Sequence, residues 1–115
     1  MESKYRNILS FVSKQELFEL ASELVKIPSY SGLEKQEDGI ATYMYNYLKK
    51  EGIEVSLIEV IKYRPNLIAK IKGQKERPSL MLTGHSDTVP PYGMNKIHFR
   101  ARFLVVNFMA EGHVI

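Results

Sequence analysis

Two amphipathic helices followed by three short strands predict an α/β fold, and three observations carry that prediction. Apolar residues recur at helical spacing between Leu17 and Val25 and again between Ile40 and Leu48. Ile53, Val55 and Leu57 alternate with Glu54 and Ser56, as in a strand with one wet face. Two further apolar runs, Leu67–Ile71 and Leu80–Leu82, each end at a glycine, Gly73 or Gly84. At 115 residues the chain makes one domain at most. The order of elements fits part of an α/β sheet that lacks its later strands and covering helices.

Residues 1–12 form a leader. Ser13-Lys14-Gln15-Glu16 has the form of a capping box, with Ser13 as N-cap and Glu16 reaching back to it. Val12 and Leu17 occupy the two positions of a hydrophobic staple, and the stripe continues through Leu20, Ala21, Leu24 and Val25. Pro28 ends this helix near Lys26, because the residue before a proline is driven out of the α region. Ser31-Gly32-Leu33-Glu34 offers a second capping box after the turn at Ser29-Tyr30.

The second helix has acidic residues in its first turns (Glu37, Asp38) and Lys49 and Lys50 in its last, matching the helix dipole. Its apolar face is Ile40, Ala41, Met44, Tyr47 and Leu48, and Gly52 supplies the stop. Tyr43, Tyr45 and Tyr47 form no single platform, since alternate positions on a helix diverge by about 200°. The first strand runs on through Val60 and Ile61, Arg64-Pro65-Asn66 makes a turn, and Leu67–Ile71 is the second strand. Gln74–Pro78 is a charged, exposed connection to the third strand at Leu80, Met81 and Leu82.

That third strand runs out at Gly84 and delivers His85 and Asp87 beyond its end. Side chains two apart on extended backbone point the same way. The pair therefore leaves together, at the sheet edge where open α/β sheets hold ligands. Metal sites use such pairs, because a ligating imidazole donates its second N–H to a carboxylate that fixes its tautomer. The same stretch also reads as a polar strand-to-loop turn closed by Pro90-Pro91.

Composition narrows the function classes. The chain is 44% hydrophobic and 25% charged, values of an ordinary globular protein. Its 16 basic and 13 acidic residues leave a net charge of +3, too weak to argue for nucleic acid. Without cysteine there is no disulfide framework and no thiolate metal site. Neither a secretory leader nor a membrane-spanning run is legible, so the expected location is the cytoplasm, with no membrane partner.

Three segments occur here in the order of one known family: Leu24-Val25-Lys26-Ile27-Pro28-Ser29 with Ser31-Gly32, then Arg64-Pro65-Asn66-Leu67-Ile68-Ala69, then Leu82-Thr83-Gly84-His85-Ser86-Asp87-Thr88-Val89-Pro90. Residues 14–94 thus resemble the start of the zinc-dependent acetylornithine deacetylase, succinyl-diaminopimelate desuccinylase, aminoacylase and carboxypeptidase family. The resemblance implies the N-terminal segment of a two-zinc, aminopeptidase-like catalytic domain. It implies an amide hydrolase acting on N-acyl amino acids or small peptides, with two zinc or cobalt ions and a homodimeric assembly. By the same resemblance His85 matches a zinc ligand, and Asp87 matches the carboxylate that orients it and is counted as catalytic. The family's bridging Asp, its general-base Glu and its further ligands come later than these positions. Two metals would lower the pKa of a bridging water and polarise the amide carbonyl. A catalytic zinc needs about three protein ligands. His98 and His113 are poor substitutes, since they lie where the resemblance has ended.

The expected division is therefore a leader over residues 1–12, a partial catalytic domain over 13–94, and a tail over 95–115. In the family the tail position carries Tyr-Gly-Arg-Gly-x-x-Asp-Met-Lys. The codons of Phe108–Ile115, read from each third base, permit Tyr-Gly-Arg-Gly-Thr-Cys-Asp. The expectation is a frameshift near Met94 or Asn95, giving a truncated, pseudogene-like product whose tail is out of frame and whose metal binding is weak. The alternatives are a divergent C-terminal strand built on Phe103-Leu104-Val105-Val106, and a small binding module that uses Lys96, Arg100 and Arg102 on an acidic partner.

Overall fold

The structure, a computed structural model, describes residues 2–75, 77–93, 100–103 and 108–111. Its elements are α1 (Glu2–Leu9), α2 (Lys14–Val25), α3 (Asp38–Lys50), β1 (Glu54–Ile61), β2 (Arg64–Lys70), β3 (Arg100–Phe103) and β4 (Phe108–Glu111). They are mixed α and β, divided between two compact units. One comprises Met1–Ile27 with Pro91–Ile115, the other Pro28–Pro90. Among the described residues no helix is long and apolar enough to cross a membrane.

In the first unit, the segment expected as a leader contains a helix, α1. Its C-terminal turn unwinds through hydrogen bonds from the Phe11 and Val12 amides to Ile8 and Leu9. Ser13 then caps α2 as expected: it is extended (φ −83°, ψ 118°) and its hydroxyl accepts the Glu16 amide at 3.2 Å. Val12 and Leu17 stay half exposed, so the staple positions bury little. The helix ends at Lys26, whose amide bonds back to Ser22, one residue before Ile27-Pro28. Strands β3 and β4 pair antiparallel, with Arg100 opposite Glu111 and Phe103 opposite Phe108, and lie against α2. The segment read as an out-of-frame tail thus carries two paired strands, while Leu104, Val105 and Val106 lie outside the described residues.

In the second unit, α3 packs on the β1–β2 hairpin and buries Ile40 and Ala41, with Met44, Tyr47 and Leu48 half-buried beside them. The expected capping box at Ser31–Glu34 does not form. The chain there makes successive turns, with Gly32 and Gln36 at positive φ, and the helix starts only at Asp38. Glu37, at the N-cap, makes no side-chain cap because its carboxylate is engaged by Arg64. The C-terminus follows the sequence closely. Gly52 (φ +76°) donates to Lys49 O and Ile53 donates to Leu48 O, the paired bonds of a Schellman motif.

The hairpin turn is not where the Pro-Asn dipeptide suggests. β1 pairs antiparallel with β2 from Glu54–Lys70 to Ile61–Arg64, which places Arg64, Pro65 and Asn66 inside β2. Lys62 and Tyr63 make the turn. Tyr63 takes the left-handed conformation (φ 64°), and its amide donates to Glu59 Oε2 at 3.3 Å. A register shift between Glu59 and Ile61 absorbs the misfit. Pro65 is tolerated because both strands of a two-stranded sheet are edges, so a missing N–H need not break a ladder.

The third strand expected at Leu80–Leu82 is absent. A run of three apolar residues suits a strand covered on both faces, yet among the described residues no neighbour forms a ladder with it. Leu80, Met81 and Leu82 remain 85%, 86% and 85% exposed. The segment is tied down just past its end, where Tyr30 and Thr88 form an isolated parallel bridge.

Candidate functional site

The site assembles on three pieces of the second unit: the turn after Pro28, the start of α3 with the first residue of β2, and the stretch Gly84–Thr88. Ser29, the first of these, is fully buried. Its hydroxyl donates to Ser86 O at 2.9 Å, and its carbonyl accepts the Thr88 amide at 3.2 Å. Gly84–Asp87 itself has no regular structure.

Within that stretch His85 and Asp87 are in contact. His85 Nδ1 lies 3.0 Å from Asp87 Oδ1 and 3.0 Å from the Asp87 carbonyl oxygen. Both partners are acceptors, so Nδ1 carries the hydrogen and donates, which in the neutral ring leaves the Nε2 lone pair free. The imidazole is 84% exposed and the carboxylate about half buried, so Nε2 is open to a ligand. Sequence spacing suggested a shared direction, and the structure brings the two side chains together.

Behind them stands an ion pair. Arg64 Nε is 3.0 Å from both carboxylate oxygens of Glu37, and a terminal guanidinium nitrogen is 2.9 Å from Oε1. The Glu37 side chain is buried, and its amide donates to Tyr63 O at 3.2 Å, so helix start and hairpin tip are joined twice. Hydrogen bonding to Glu37, then its charge, and last the charge of Asp87 hold the Arg64 guanidinium above its ordinary pKa. Arg64 is therefore a fixed cation whose contribution would be lost only above the ordinary guanidinium range.

Ser29, Glu37 and Arg64 are the site residues that sequence reading did not single out. Glu37 passed for a first-turn helix charge, and Ser29 and Arg64 for turn residues. Nothing local in the sequence signals that Ser29 reaches a segment 57 residues away. The alternative binding residues Arg100 and Arg102 lie in β3, while Lys96, His98 and His113 lie outside the described residues.

A zinc centre is tested by its donors. Catalytic zinc takes about three protein ligands and water, and no group of three His, Cys, Asp or Glu side chains with metal-holding geometry occurs among the described residues. What is present is one imidazole donor with its orienting carboxylate. These residues do not complete a zinc site.

Sequence comparison places this arrangement beside hydrolases. The chain is 37% identical over 81 residues to a LysW-lysine/LysW-ornithine hydrolase of Pyrococcus furiosus, covering 70% of this chain and 22% of that protein. It is 30% identical over 89 residues to a carboxypeptidase of Emericella nidulans, covering 76% and 20% respectively. A third relative is the N-formyl-4-amino-5-aminomethyl-2-methylpyrimidine deformylase of Bacillus subtilis, 29% identical over 76 residues, or 64% of this chain and 18% of the relative. The chain spans about a fifth of the length of these relatives. No family model and no solved structure matches it. The matches support a relationship to peptidase-type hydrolases.

Proposed function

We propose that residues 14–94 are the opening part of a two-metal amide hydrolase, with His85 as one metal donor and Asp87 as the group that orients it. The observation that carries this reading is the 3.0 Å contact between His85 Nδ1 and Asp87 Oδ1, which leaves Nε2 exposed. The three relatives, a lysine/ornithine hydrolase, a carboxypeptidase and a deformylase, support it. For the intact hydrolase the proposed substrates are N-acyl amino acids or small peptides, the metal zinc or cobalt, and the assembly a homodimer; for this chain we propose the cytoplasm, with no nucleic-acid or membrane partner.

We further propose that residues 14–94 do not turn over substrate unaided, because among the described residues one imidazole cannot hold a catalytic ion. The test is hydrolysis of N-acetyl and N-succinyl amino acids and dipeptides by the purified chain with zinc or cobalt. No turnover is expected, and chelator-sensitive turnover that His85→Ala abolishes would overturn the inactivity. To test the class, residues 14–94 replace the matched segment of the Emericella carboxypeptidase. The chimera is expected to retain metal and to lose it on His85→Ala; metal content indifferent to His85 would refute its role.

We also propose that residues 95–115 arise from a displaced reading frame. The nucleotide sequence around codon 94 decides it: an offset frame lacking the glycine-rich Asp segment ends the idea.

A further inference from the structure

We infer that Ser29 is a positioning residue of the His85–Asp87 site, standing in for the strand neighbour that Gly84–Thr88 otherwise lacks among the described residues. Polar groups are costly to bury unless they are bonded, and Ser29 is a fully buried serine whose hydroxyl and carbonyl are both engaged. Its two bonds fall on Ser86 O and Thr88 N, the residues immediately before and after Asp87. Fixing the chain on both sides of Asp87 fixes the direction of its Cα–Cβ bond, and hence where its carboxylate meets the imidazole two residues earlier.

No ladder does this instead. Among the described residues, 71–75 and 77–87 carry no strand, the apolar run before Gly84 is exposed, and the bridge from Tyr30 to Thr88 flanks Ser29 itself. Pro28 contributes by locking its own φ directly before Ser29. Ser29 thus acts on His85 at one remove. It holds Asp87, Asp87 holds Nδ1–H, and Nε2 is left as the outward donor. The purpose assigned to that donor rests on the function proposed above, whereas the holding itself does not.

The test uses the full, metal-free, isotope-labelled chain in solution. In the wild type, a through-hydrogen-bond coupling between Thr88 N and the Ser29 carbonyl carbon is expected, and so is a neutral His85 ring in the Nδ1–H tautomer. Ser29→Ala is expected to speed Thr88 amide exchange about tenfold, as for loss of one hydrogen bond, with the β1–β2 amides unchanged. It is also expected to move His85 toward a mixture of tautomers. Ser29→Thr, which keeps the hydroxyl, restores both readouts. An unchanged His85 tautomer in Ser29→Ala would mean that Ser29 merely packs the turn, and would overturn the inference. Should Ser29→Ala release the hairpin amides as well, the wild-type coupling decides, and its absence is fatal. Neither readout involves metal, so failure of zinc to engage His85 would count against the proposed function and leave this inference intact.

Discussion

Replacing Leu80 and Leu82 together by serine is expected to make the chain more soluble without changing its secondary structure. Both side chains and the intervening Met81 are about 85% exposed, in a segment with no strand ladder. Full burial of such a side chain stabilises by about 1.5–3 kcal/mol, so the three together hold about 4–8 kcal/mol that is realised only when something covers them. Association costs about 4–15 kcal/mol in lost freedom, so this run alone gives only weak pairing. Ile71, Val60 and Ile61, at 81%, 67% and 59% exposure, add to it and push the balance toward open-ended aggregation. The double substitution removes about two-thirds of the contribution from the run, or roughly 3–5 kcal/mol. At tenfold per about 1.4 kcal/mol, that corresponds to a rise of about a hundredfold or more in the concentration at which light scattering begins. Far-ultraviolet circular dichroism should be unchanged, because exposed substitutions away from caps and hydrogen bonds cost little. A wild-type chain that stays monodisperse at the concentrations where the variant does, with one sharp and reversible thermal transition, would show that the exposed run does not drive association.

Further expectations concern the frame of the site. Ile40→Ala removes a buried side chain from the face of α3 that covers the hairpin and should cost about 2–5 kcal/mol, read as a lower urea midpoint. Gly52→Ala meets no atom within 4 Å, so only the left-handed backbone (φ +76°) opposes it, at about 1–2 kcal/mol by the same assay. Ser13→Ala removes the α2 cap and should cost about 1 kcal/mol, visible as lost helicity on mild heating.

Legibility followed the range of the interaction. Ser13, the stop at Lys26 and the Gly52 motif are set within a few residues, and the sequence places them correctly. The hairpin turn was misplaced because Pro65-Asn66 is a strong turn signal, whereas the turn itself depends on Tyr63 accepting a left-handed backbone. Leu80–Leu82 has strand composition, but a strand exists only with a partner, and composition cannot supply one. The His85–Asp87 contact spans two residues and is visible in the spacing. Ser29 and the Glu37–Arg64 pair act across 57 and 27 residues, where no local pattern reaches.

The most direct test of the proposed metal donor is a zinc titration of the full chain, followed at the ring nitrogens of its three histidines. Weak, rapidly exchanging binding is expected at His85 Nε2, with Nδ1 still hydrogen-bonded to Asp87 and with loss of the response in His85→Ala. Tight stoichiometric zinc, or zinc held at His98 or His113 with His85 unaffected, would contradict it.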